Sequence, residues 1–182
     1  MSQAKRYTTL QALTERENEK LDCSYHAAFY LLSGNADICD KAYNFVDNDG
    51  IDFEGLIKSS QDLDEPQQQL LSVAHNLFSW TSETAVTPFD ISRMGHPYME
   101  LVCNAIYIAS GEYTVRMELD GQNRPALVLD TSRHERTRHI HANLERMTSD
   151  FRKPDRCRHF PINLERMIMG PAETPYDDGF EQ

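Results

Sequence analysis

The chain has 182 residues, a formal net charge of −11, 40% hydrophobic residues and 26% charged ones. That balance describes one globular domain, or one domain with an appendage, large enough to bury a core without staples. The acidity opposes casual binding to DNA, RNA or anionic membrane, and no apolar run approaches the ~18–20 residues of a bilayer span.

The opening segment MSQAKRYTTLQALTERENEK has no apolar signal region, and Cys23, Cys39, Cys103 and Cys157 form no C-x-x-C pair. Reduced thiols in a cytoplasm are therefore expected, rather than a zinc ribbon or a secreted disulfide scaffold.

Residues 1–8 read as a frayed start, and Thr9–Leu21 as a polar helix anchored by Leu10, Leu13 and Leu21. A clearer helix follows, with Ser24 as N-cap, Tyr25, Ala28, Phe29, Leu31 and Leu32 on its apolar face, and Gly34 as its stop. The 3–4 spacing of Ile38, Ala42, Phe45 and Val46 predicts a helix over Asp37–Val46, ended by the turn DNDG. Phe53–Ser59 reads as a short helix with Leu56 and Ile57 inward. Pro66 suits the first turn of the strongest helix, Pro66–Trp80. Its expected buried stripe is Leu70, Leu71, Val73, Ala74, Leu77, Phe78 and Trp80. A polar connection with a half-turn at Phe89–Met94 leads to a helix over Met99–Ser110, stopped by Gly111. Six such segments imply a compact helical bundle.

Beyond Gly111, Tyr113, Val115 and Met117 alternate, DGQN supplies turn chemistry, and Ala126–Leu129 returns, with Pro125 at a strand start. From Ser132 the chain reads as helix again. The fold expected is mainly α with a small hairpin near 112–130, α+β overall. Its parts are an acidic helical bundle (1–111), a hairpin with a basic helical segment (112–169), and a disordered tail (170–182). The pentapeptide NLERM occurs at 143–147 and 163–167, read as two amphipathic turns with Leu and Met inward.

Charge divides the chain more sharply than hydropathy does. Residues 1–132 stand at −11, residues 133–166 at +4 with four histidines added, and residues 167–182 at −4. An acidic body with one basic segment is suited to a charged partner, and the body to basic surfaces such as those of nucleic-acid enzymes. Asp47, Asp49, Asp52, Glu54, Asp62, Asp64 and Glu65 are the candidate acidic contacts. Arg133, Arg136, Arg138, Arg152, Lys153, Arg156 and Arg158 are the candidate nucleic-acid-facing ones, toward DNA or RNA.

Catalysis and metal binding find weaker footing. Aligning Gly50 with the sixth position of a calcium loop puts Phe45 first and Leu56 twelfth, so both the first ligand and the bidentate clamp are missing. A helix–turn–helix connection, with Asp52 at a helix start, is expected instead. His134, His139, His141, Cys157 and His159 contain zinc-ligating atoms, but in no standard spacing and among basic neighbours. A hairpin followed by a helix is also the order of ββα-metal nucleases, yet the first strand, EYTVRMELD, has no histidine to act as base. His26 and His75 lie on apolar helical faces and read as partly buried core histidines. No catalytic residue, metal or cofactor is assigned.

From Tyr25 to Gly111 the segments HAAFYLLSGNADICDKAYNFVDNDGIDFEGL, LLSVAHNLFSW and ELVCNAIYIASGEY resemble a small helical family of unknown function found in Firmicutes and their mobile elements. In length, acidity and architecture the whole chain is similar to type II-A anti-CRISPR proteins of gut Firmicutes. That resemblance implies a non-enzymatic inhibitor whose partner is a type II CRISPR effector nuclease with its guide RNA, and it brings no site residues with it. The basic channels of such effectors agree with the charge argument. Two other functions stay open: a metal-dependent nuclease acting on guide RNA through the 134–159 histidines, and a mobile-element adaptor with an unrelated protein partner.

Overall fold

In a computed structural model of the chain, residues 1–15, 21–83 and 85–151 are described, the side chains of Asp150 and Phe151 excepted. Helices α1 (Gln3–Leu13), α2 (Cys23–Gly34), α3 (Ala36–Ala42), α4 (Phe53–Ser59), α5 (Glu65–Phe78), α6 (Pro88–Arg93) and α7 (Tyr98–Ala109) precede a hairpin of β1 (Thr114–Leu119) and β2 (Pro125–Asp130), and α8 (Ser132–Phe151) follows it. The fold is mainly α with one two-stranded antiparallel sheet.

Helix α2 is central because seven consecutive residues, Ala27 to Ser33, are buried. A helix apolar all round has to be enclosed, and α1, α3, α5 and α7 all pack against it. Phe29, Leu31 and Leu32 are fully buried, and so are Leu10 of α1, Ile38 of α3 and Val102 of α7. Several polar groups drawn into this core find partners, although the Tyr43 hydroxyl packed against it has none among the described residues. Ser33 Oγ donates to Tyr30 O at 3.1 Å, and the Tyr7 hydroxyl meets His26 Nδ1 at 2.5 Å. Burial pushes the Tyr7 hydroxyl well above its ordinary range. Asn35 Nδ2 donates to the Tyr98 hydroxyl and Asn104 Nδ2 to the Tyr30 hydroxyl, each at 3.1 Å, tying α7 to α2 and its end.

Several expected boundaries move, each for a local reason. The start is not frayed: Ser2 caps α1, and Ala4, Tyr7 and Leu10, three apart, bury one face of a helix whose composition is otherwise polar. Asp22, not Ser24, caps α2 by accepting from Tyr25 N at 3.0 Å. Gly34 is the last residue of α2 rather than a residue beyond it, because Asn35 ends α2 and caps α3 at once. The third helix stops at Ala42, and Val46 is buried in an isolated bridge to Ile51 instead. Gly111, at φ 75°, ends α7 as its sequence position predicts.

The hairpin runs in register from Thr114↔Asp130 to Leu119↔Pro125 and packs on α1. One compact unit extends from Met1 to Thr137. The chain from Arg138 on is a second unit, and of it residues 138–151 are described as the continuation of α8. The expected tail 170–182 and the second NLERM copy lie outside the described residues. In the first copy Leu144 and Met147 are not inward: they are 52% and 60% exposed. Among the described residues no helix is long and apolar enough to cross a membrane. Cys23, Cys39 and Cys103 are free thiols.

If enclosure of α2 organises the fold, Leu32→Ala should cost about 2–5 kcal/mol, as buried Leu truncations do. Urea unfolding should show this as a lowered midpoint with an unchanged slope, and a loss under about 0.5 kcal/mol, typical of a surface site, would contradict it.

Candidate functional site

The seven candidate acidic residues are all exposed and sit at the two ends of α4. Before α4 the chain folds back sharply: Asp47 N donates to Gly50 O at 3.0 Å and Asp52 N to Phe45 O at 2.8 Å. Asp47 closes this turn through Oδ1, which accepts from Asp49 N at 2.9 Å and Gly50 N at 3.1 Å. Asp52 caps α4, its Oδ1 accepting from Gly55 N at 2.9 Å. Gly55 makes this close approach possible, since a Cβ there would run into the Asp52 carboxylate and stand 2.8 Å from Phe45 Cε1.

Beyond α4, Lys41 of α3 staples the next loop. Its Nζ donates to Ser59 O at 2.9 Å and to Asp62 Oδ1 at 2.8 Å. That hydrogen bond holds the Asp62 carboxyl below the usual carboxylate range. Gln67 fixes the start of α5: its Oε1 accepts from Asp64 N at 3.0 Å, and its Nε2 donates to Asp37 Oδ2 at 3.2 Å. The acidic residues thus differ in role. Asp47, Asp52, Asp62 and Asp64 shape the turns that display the others. Glu54 pairs only loosely with Lys58, at 3.8 Å with both side chains exposed, and Glu65 receives one contact from Gln69 Nε2 at 3.3 Å. Asp49 has no side-chain partner among the described residues.

Beside this face lies a groove of about 590 Å³ lined by Glu54, Ile57, Lys58, His75, Thr81 and Glu83. His75 is the partly buried core histidine its helical face predicts, with its ring stacked on Phe53 at 4.9 Å. Burial pushes its pKa down, against the opposing influence of Glu54.

Trp80 contradicts expectation. It lies three residues beyond Leu77 and seven beyond Val73, so helical periodicity puts it on the buried stripe. The helix ends at Phe78, and Ser79 at φ −130° and ψ 122° turns the chain outward. Trp80 is 95% exposed as a result. Periodicity cannot see this, because the stripe holds only while the backbone stays helical; the polar run SWTSET is the one signal of the turn.

The basic candidates divide between the two units. Arg133 and Arg136 are exposed on the first turns of α8, and Arg138 is exposed where the second unit begins. Positions 133 and 136, three apart, are neighbours on the helix. The start of α8 is anchored by His134, which meets the stacked rings of Tyr107 and Tyr113 edge-on at 4.9 and 5.6 Å. Its Nδ1 lies 3.5 Å from Glu112 Oε2, a buried oxygen with no hydrogen-bond partner. His134 is thereby committed to a structural contact. His139 and His141, two apart, project about 160° from each other around the helix and cannot share a ligand. Among the described residues no group of three His, Cys, Asp or Glu is placed to hold a metal ion. Arg152, Lys153, Arg156, Arg158, Cys157 and His159 lie outside the described residues.

No protein-family model, curated protein or solved structure matches the chain.

Because the fold favours neutral His75, its contribution to stability is full above the unfolded value of 6.5 and is lost as pH falls below it. Thermal unfolding between about pH 7.5 and about pH 5 should therefore show a steeper loss for the native chain than for His75→Gln. Parallel curves would contradict the burial argument; the lowered carboxyls of Asp62, Asp90, Asp120 and Asp130 act only at more acid pH.

Proposed function

We propose that the protein is a non-enzymatic inhibitor that binds a type II CRISPR effector nuclease carrying its guide RNA and blocks DNA cleavage. One observation carries this reading: seven exposed carboxylates cluster at the two ends of a single short helix, four of them in the turns and caps that bound it. With Lys41 and Lys58 among them, the set has a net charge of −5. Helix α4 has seven residues and is about 10 Å long. Duplex DNA carries one charge per ~1.7 Å of axis, and a cluster of exposed carboxylates offers the same sign of charge to an effector's basic channel.

Fixed turns matter as much as charge. A flexible acidic tail loses conformational freedom on binding, whereas carboxylates pinned by capping hydrogen bonds have already lost it. In this reading the face competes for the effector's nucleic-acid surface, and the basic stretch at Arg133, Arg136 and Arg138 contacts guide RNA, target DNA or an acidic part of the effector.

The test is a purified cleavage assay with guide-loaded type II effector and plasmid, followed by a gel of the guide. Plasmid should be protected and the guide should stay intact. The variant Asp49→Asn/Glu54→Gln/Glu65→Gln spares the turn-forming carboxylates. It should lose inhibitory potency by roughly tenfold or more while unfolding at the native temperature. A cut guide would point to a nuclease instead, and full plasmid cleavage to an adaptor with another partner.

A further inference from the structure

Trp80 is the one tryptophan of the chain and, at 95%, the most exposed large hydrophobic side chain among the described residues. It is presented on a fixed turn. Ser79 Oγ and Thr81 Oγ1 are 2.9 Å apart, Thr81 N donates to Ser79 Oγ at 3.4 Å, and Ser82 N donates to Ser79 O at 3.2 Å. A side chain able to bury 150–250 Å² is thus held in water, and exposed tryptophan is the side chain most enriched among interface anchors.

The groove next to it in the chain narrows the choice of occupant, although Trp80 itself is not one of its lining residues. Thr81, next to Trp80 in the chain, lines this groove. Ile57 and the His75 ring give it an apolar wall, and Glu54 and Glu83 give it an acidic rim. Lys58 is drawn to Glu54, while Glu83 has no partner among the described residues. A base could stack on Trp80, but the phosphates that accompany it would meet two carboxylates. Arginine fits the apolar wall and the two carboxylates, with Lys58, drawn to Glu54, as the one opposing charge. Its stem lies on apolar surface, its planar cation pairs with carboxylates bidentately, and tryptophan is the best aromatic face for a cation.

We propose that Trp80 and the Glu54–Glu83 groove form an anchor pocket for an arginine side chain carried by a basic segment of the partner protein. This rests on the acidic face being a protein-binding surface and names the contact the partner makes there.

Trp80, as the sole tryptophan, reports on its own contact. The full chain is labelled with 5-fluorotryptophan and titrated with a tryptophan-free deca-arginine peptide, with deca-glutamate as control, and then with guide-loaded type II effector. Deca-arginine should shift the single fluorine resonance and shield the indole from acrylamide, and deca-glutamate should do neither. Glu54→Gln/Glu83→Gln should weaken the deca-arginine response by roughly tenfold. Trp80→Ala should unfold at the native temperature and lose affinity for the effector. Deca-arginine binding with an unmoved resonance, or no binding, overturns the pocket. Effector binding with an unmoved resonance also overturns it, while leaving the inhibitor reading intact. A resonance that moves with deca-arginine alone supports the pocket and removes the effector as partner.

Discussion

The enclosure of α2 sets the terms for everything else in this molecule. Ala27 through Ser33 are out of water on every side, so α1, α3, α5 and α7 must each give an apolar face to the same helix. Each large aliphatic or aromatic side chain buried there contributes roughly 1.5–3 kcal/mol. The polar atoms that come along need internal partners, and the Tyr7–His26, Ser33–Tyr30 and Asn104–Tyr30 hydrogen bonds provide them. Helix α4 touches this arrangement chiefly through α5 and α3, and is free to carry charge at both of its ends.

That position explains why the acidic face is ordered rather than merely acidic. Its carboxylates are not scattered over a solvated surface: four of the seven shape the turns or caps that display the rest. Lys41 reaches from α3 to Ser59 and Asp62, and Gln67 reaches from α5 to Asp37, so the loops around α4 are tied to the same helices that enclose α2. Core packing is transmitted to the surface through these few polar links.

Much of this was legible in the residues. The bounds of Phe53–Ser59, the hairpin and its turn, and the stop at Gly111 follow from local chemistry alone, and those are the elements where composition and position agree. Helix α1 was hidden because its buried face consists of Ala4, Tyr7 and Leu10 amid polar residues, a stripe too thin for composition to reveal. Trp80 was misplaced because a periodic pattern assumes that the helix continues, and a single extended residue at Ser79 reversed its environment. Likewise the anchoring of His134 between Tyr107, Tyr113 and Glu112 joins residues over twenty positions apart, which spacing rules for metal sites cannot anticipate.

If, as proposed, the acidic face stands where nucleic acid would lie, the protein and the target duplex should exclude each other on the effector. The decisive measurement is equilibrium competition, with a fluorescent target duplex bound to guide-loaded, cleavage-inactive effector and titrated with this protein while anisotropy is followed. The account predicts full release of the duplex, with an apparent inhibitor affinity that falls as duplex concentration rises and as salt is added. A ternary complex, with inhibitor bound and duplex retained, would contradict it.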